Sequence, residues 1–241
     1  MNTEFIKTTN VKNFITLMNN LINRAKGVPG MALVYGEPGL GKTRVATWWS
    51  ANNDAIFVSA TQVTTPRSLL EEIVKEMGEV PLFRSSDLFN QVVQYLIKGP
   101  KVLIVDEVDY LTKDKCGIEI LRDIHDRTHT PIILIGMRFA RRNLDKYAHL
   151  TDRFSEVLHF EPFSTDETGI LVNGLSEVRF TDDAIKYIHQ TGFGFRQIVN
   201  LVNKSEILAE ANGLKEIDLK CVTKFLKKET KWRKYVIYQE N

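Results

Sequence analysis

Short apolar runs alternate along this chain with stretches whose apolar residues recur at helical spacing. Met31–Tyr35, Ala55–Ser59, Lys101–Asp106, Pro131–Gly136 and Val157–Phe160 read as strands, several of them apolar on both faces, as buried parallel strands are. Between them lie amphipathic patterns. Val11, Phe14, Ile15, Leu17, Met18, Leu21 and Ile22 line one side of a helix capped by Asn10 and running to about Lys26. Further helices are expected from Lys42 to about Ala51, from Pro66 to about Gly78, over Ser85–Ile97 and near Lys115–Arg127. Strands alternating with helices predict a parallel α/β sheet covered on both faces. After Pro162 the strand signal stops. Helices are expected over Ser164–Gly174, Thr181–Gln190, Phe195–Ala211 and Leu214–Lys228, so the spacing predicts an α/β domain over 1–163, a helical domain over 164–230 and a basic, aromatic tail over 231–241.

Composition narrows the class only a little. The 241 residues are 43% hydrophobic and 26% charged, ordinary for a globular protein. No apolar run approaches the roughly 20 residues of a membrane helix, and MNTEFIKTTN lacks a secretory core. Cys116 and Cys221, the two cysteines, suggest no disulfide framework, which fits a cytoplasmic chain without a membrane partner. The net charge of +2 does not by itself predict nucleic-acid binding.

The chemistry begins at Gly36-Glu37-Pro38-Gly39-Leu40-Gly41-Lys42-Thr43, a fit to G-x-x-x-x-G-K-[ST] placed between a strand and a helix. Its glycines let successive N–H groups turn inward, and with the helix start, including Arg44, they form a cradle for the phosphates of ATP. Lys42 reaches the outer phosphates and the Thr43 hydroxyl binds Mg²⁺. Asp106 and Glu107 close the strand VLIVDE: Asp106 is expected on Mg²⁺, and Glu107 on the attacking water. Hydrolysis builds charge on the γ-phosphoryl oxygens, and Arg153 and Arg196 stand where a guanidinium completing the site would make sense.

In the order of these features the chain resembles the AAA+ ATPases, and more narrowly the phage Mu B-like transposition target-selection family. The likeness rests on GEPGLGKT, IVDEVDYL, ILIGM, DRFSEV and FRQIVNLV, and covers roughly Phe5 to Lys228. It implies an AAA+ P-loop three-layer sandwich with a C-terminal α-helical lid. It implies Arg153 as a finger reaching the ATP of a neighbouring subunit and Arg196 as the lid's sensor of ATP in its own. It implies self-assembly into rings or helical filaments on DNA, recruitment of a transposase, and origin in a phage or mobile element. Phe5–Thr9 would lie against the adenine. Met137 departs from the polar sensor residue common in the family, which leaves Arg138 as its substitute or hydrolysis slow. With no counterpart here of the Mu protein's separate DNA-binding domain, sequence-nonspecific DNA contact is expected from the core, through Arg67, Lys113, Lys115, Arg138, Arg141 and Arg142. The competing readings are a helicase loader or secretion-associated protein-remodelling ATPase, and a small-molecule phosphotransferase. His125 and His129, four apart with no third ligand, read as two surface histidines. Of Trp48 and Trp49, one is expected in the core, and Phe193 and Phe195 in the core of the lid.

Overall fold

The computed structural model describes residues 5–99, 101–113 and 115–224. The basic tail 231–241 and the side chains of Lys113 and Lys115 lie outside the described residues. The chain divides into two compact units, Asn10–Glu161 and Met1–Thr9 with Pro162–Asn241.

The larger unit holds α1 (Thr9–Ile22), β1 (Met31–Gly36), α2 (Lys42–Asn52), β2 (Ile56–Ser59), α3 (Pro66–Glu76), α4 (Ser85–Lys98), β3 (Leu103–Asp106), a 3₁₀ turn (Val108–Lys113), α5 (Lys115–Thr128), β4 (Ile132–Gly136), α6 (Arg138–Leu144), α7 (Ala148–Thr151) and β5 (Phe154–Phe160). The strands form one parallel sheet in the order β2-β3-β4-β1-β5. Leu33, Ile56, Val58, Leu103, Val105, Ile132 and Leu134 pack into one core with α3, α4 and α5. Their neighbours Ala32, Val34, Ile104, Ile133 and Ile135 are buried as well. Successive strand residues point to opposite faces, so both faces of the sheet are covered and the fold has three layers. Parallel strands place every strand-to-helix loop at one edge of the sheet, where β1, β3 and β4 end together. β5 begins three residues earlier than the apolar run suggested. Its exposed Ser155 and Val157 alternate with partly buried Phe154 and Glu156, the pattern of an edge strand that a search for apolar runs misses.

Two sequence expectations fail here. Asn10 does not cap α1: it lies inside the helix, buried, and its amide grips the backbone of Glu161, donating to the carbonyl at 2.8 Å and accepting from the N–H at 3.1 Å. His125 is not a surface residue. It is 4% exposed, its Nε2 accepts from the Gly30 N–H at 3.1 Å, and its Nδ1 lies 2.8 Å from the Thr130 carbonyl, which makes it a neutral imidazole protonated on Nδ1. Burial lowers its pKa below the ordinary value of about 6.5; Arg24 and His129 add to this, and the Thr130 carbonyl and Asp126 oppose it. The unfolded chain therefore binds the proton more readily, and the stability contributed by His125 is present above its unfolded pKa and lost as pH falls toward the folded one. Urea midpoints should drop more for wild type than for His125→Gln between about pH 7 and about pH 5; parallel profiles would rule the clamp out. His129 is exposed as expected. Trp49 is buried and Trp48 partly so.

The smaller unit holds α8 (Thr165–Leu175), β6 (Arg179–Phe180), α9 (Asp182–Gln190), α10 (Phe195–Ala211) and β7 (Glu216–Ile217), with residues 219–224 helical. Ser164 and Glu167 form a capping box on α8, the kind of contact worth about 1 kcal/mol. The helix expected from Leu214 instead starts at 219, because Glu216–Ile217 pairs with Arg179–Phe180 in a two-stranded parallel sheet. Phe193 and Phe195 pack against this unit's core, as does Ile6.

Candidate nucleotide-binding site

β1 closes on Gly36, where a side chain would come within 2.6 Å of the Phe160 carbonyl on β5, so the position has room only for glycine. The loop beyond turns through Gly39 (φ 81°) and Gly41 (φ 91°), left-handed positions that glycine occupies without strain. Gly41 precedes α2 with no side-chain cap, so the N–H groups of the first turn face outward for an anion. Lys42, 9% exposed, donates from Nζ to the carbonyls of Gly36 and Glu37 at 2.8 and 2.9 Å. Burial lowers its pKa, against the pull of Asp106, Glu107, Asp109 and Glu37. The ammonium thus braces the loop that a phosphate would occupy, surrounded by carboxylates.

Asp106, at the end of β3, is 2% exposed. Its Oδ1 accepts from the Glu107 N–H at 2.8 Å, and its Oδ2 is buried with no hydrogen-bond partner. Burial raises its pKa, opposed by the Thr43 hydroxyl, the Glu107 N–H and Lys42, with Asp109 adding to the rise. A buried oxygen left unsatisfied beside a threonine hydroxyl fits a hard divalent cation, for which oxygens are the ligands. Removing the charge should relieve the apo protein. Asp106→Asn is expected to raise the apo melting temperature by roughly 2–4 °C, as about 1 kcal/mol does in a chain of this size. It should also abolish the Mg²⁺-dependent part of the stabilisation by ATP, about 2.7 kcal/mol at a hundredfold excess over Kd. Thermal shifts with and without Mg²⁺ check both halves; an apo melting point several degrees lower would show that the carboxylate is not penalised by burial.

Glu107 sits at φ 55°, a left-handed conformation that costs a non-glycine residue about 1–2 kcal/mol. Such strain clusters where a side chain must be aimed. Sequence reasoning passed over Asp109, which locks the next strand in place. Its Oδ2 accepts from the Met137 N–H at 2.7 Å and its Oδ1 from the Ala140 N–H at 2.9 Å, tying the turn after β3 to the start of α6. Beside Met137, Arg138 Nε lies 2.7 Å from Glu37 Oε1, which brings a guanidinium onto the phosphate-binding loop.

The remaining expected residues divide between the two units. Arg153, just before β5, makes a two-pronged pair with Asp126 at 2.8 and 3.2 Å. Arg196 is exposed in the first turn of α10, in the smaller unit. Phe5–Thr9 runs with that unit too, where the Thr9 N–H donates to Glu167 at 2.7 Å. Of the expected DNA contacts, Arg67 pairs with Glu71 and stacks over Phe83, Arg141 pairs with Asp145, and Arg142 is exposed.

Residues 25–144 match the family model of the AAA domain. The matched segment carries the P-loop and both carboxylates. Over 262 aligned residues the chain is 25% identical to a potential ATP-binding protein of Staphylococcus aureus, covering 92% of this chain and 94% of that protein. It is 28% and 26% identical over 144 residues to the ATP-dependent target DNA activator B of Escherichia phages D108 and Mu; each match covers 58% of this chain and 44% of the phage protein. Among solved structures it is similar to the Aeropyrum pernix ORC2 protein in ADPNP–ADP complexes (TM-score 0.70, 16% identity, 92% of this chain and 69% of that chain). It is also similar to the Aeropyrum pernix ORC1 protein in complex with DNA (TM-score 0.64, 18% identity, 89% of this chain and 63% of that chain). At these identities the structures speak for the fold alone, the α/β P-loop fold of AAA+ ATPases. Among the described residues no helix is long and apolar enough to cross a membrane.

Proposed function

We propose that this chain is an ATP hydrolase that binds DNA without sequence preference, self-assembles on it when ATP is bound, and acts as a transposition target selector that activates a transposase. The ATP part rests on one observation: buried Asp106, with its orphaned oxygen, and strained Glu107 lie within electrostatic reach of the P-loop lysine. The DNA part draws support from the likeness to the two phage activators.

In this reading the N–H groups of Gly36–Thr43 hold the triphosphate, and Lys42 leaves its loop carbonyls for the outer phosphate oxygens. Thr43 and Asp106 would hold Mg²⁺, which when bound neutralises charge on those oxygens. Glu107 orients a water and accepts its proton as the water oxygen bonds to the γ-phosphorus. The bond to the β-phosphate oxygen breaks, and ADP and phosphate leave. Arg138, already on the loop through Glu37, supplies the polar contact that Met137 does not. Arg196 serves the ATP of its own subunit and Arg153 that of a neighbour. Arg67, Lys113, Lys115, Arg138, Arg141 and Arg142 track phosphates, a mode of contact that carries no base readout.

Gel shifts on unrelated duplexes should show binding with ATP and little with ADP, lost steeply as salt rises. Equal binding with and without nucleotide would sink the DNA reading. Exposed Val63 and Phe83, 84% and 89% accessible, favour a second reading as a protein-remodelling or helicase-loading ATPase. Stimulation of turnover by a protein partner and not by DNA would select it.

A further inference from the structure

Residues 24–29 lead into β1, His129 precedes β4 and Arg153 precedes β5, so all of them lie at the edge of the sheet opposite the P-loop. There a cleft of about 450 Å³ is lined by Arg24, Lys26, His125, Asp126, His129 and Arg153. Three permanent cations thus face one carboxylate, and that carboxylate is already engaged: Asp126 holds Arg153 in a two-pronged pair that lowers its own pKa. The Arg24 guanidinium is set in place by carbonyls, donating to Leu21 at 2.8 Å, to Val28 at 3.2 Å and to His129. Gly30 makes the room, since a side chain there would come within 2.4 Å of the guanidinium carbon. Neutral carbonyls fix the group without cancelling its charge. Three of its five N–H donors are used, which leaves two of a rigid fork that matches phosphate geometry. Lys26 is exposed on the same bend.

We propose that this cleft is a second phosphate-binding site, separate from the P-loop, in which Arg24 and Lys26 grip a phosphate group and Asp126 opposes it. The phosphate belongs either to the backbone of DNA or to a free polyphosphate. Pre-positioned Arg24 gives direction, flexible Lys26 adds charge, and the pair with Arg153 limits without abolishing the repulsion from Asp126.

The test uses the full chain carrying Lys42→Ala, which disables the P-loop, with calorimetric titration of pyrophosphate at low salt. This protein should bind pyrophosphate. Adding Lys26→Glu should weaken binding at least tenfold, and adding Asp126→Asn should tighten it several-fold, a gain that a merely structural role for the cleft would not produce. A second arm leaves Lys42 intact and titrates duplex DNA with ATP. If DNA supplies the phosphate, Lys26→Glu lowers duplex affinity about tenfold and reduces the salt slope by roughly one, with ATP turnover in the absence of DNA unchanged. If duplex binding is unaffected while pyrophosphate binding is weakened, a free polyphosphate is the ligand. Failure of the Lys42→Ala protein to bind pyrophosphate would overturn the site. So would pyrophosphate affinity left unchanged from that protein by both Lys26→Glu and Arg24→Gln.

Discussion

Replacing Glu107 with Gln should cut ATP turnover by about 10²–10⁴-fold, the usual contribution of a positioned general base, while nucleotide affinity stays within a factor of about two. The amide keeps the size and the hydrogen-bonding reach of the carboxylate but cannot take the proton. The loss should therefore appear in kcat and not in KM, the sign of an interaction made in the transition state alone. The backbone sharpens the argument. At φ 55° Glu107 is strained, and Glu107→Gly would relax that strain. The glycine variant should melt higher than wild type while hydrolysing no faster than Glu107→Gln. A residue that destabilises its own fold and carries the rate is what a stability–activity trade-off predicts. Turnover in Glu107→Gln within tenfold of wild type would remove Glu107 from the reaction.

The glycine loop and the acidic strand end could be located in the sequence because their signals are local: glycines, a lysine and two adjacent acids stand within two short segments. Strands β1 to β4 were legible for a similar reason, since strands buried on both faces are apolar throughout. What escaped depends on partners far along the chain. Asp109 looks like one more acid in VDEVDYL, and only the fold brings its oxygens to the N–H groups of Met137 and Ala140. β7 carries no strand signal of its own, because its two residues become a strand only by pairing with Arg179–Phe180, 37 positions earlier in the chain. His125 is the instructive error. Ile118, Leu121 and Ile124 mark the buried face of α5, and His125 falls on that face one turn beyond Leu121, so helical spacing carried the signal that a count of metal ligands did not use. The pairing of Arg153 with Asp126, 27 residues apart, had no sequence signal at all.

That pairing bears on the other large effect expected. If Arg153 completes the site of a neighbouring subunit, Arg153→Ala should lower ATP turnover in the assembled, DNA-bound state by about 10³–10⁵-fold, the range for a guanidinium stabilising a transferring phosphoryl group. In the single chain the guanidinium is held by Asp126, and a finger must leave that partner. The two side chains are 40% and 36% exposed, and a pair so open to water is worth about 0–1 kcal/mol, so leaving it costs at most about fivefold. A triphosphate offers more charge than one carboxylate and in that reading would win the exchange. Arg153→Lys should not restore turnover, because an ammonium lacks the planar fork. The deciding measurement mixes two inactive variants. Lys42→Ala subunits keep Arg153 but have a disabled P-loop, and Arg153→Ala subunits keep the P-loop but lack the arginine. Where the first sits beside the second, an intact P-loop faces an intact arginine, and turnover should reappear in the mixture. If the mixture stays as inactive as its components while both still assemble on DNA, Arg153 does not act across a subunit boundary, and its pairing with Asp126 is the whole of its role.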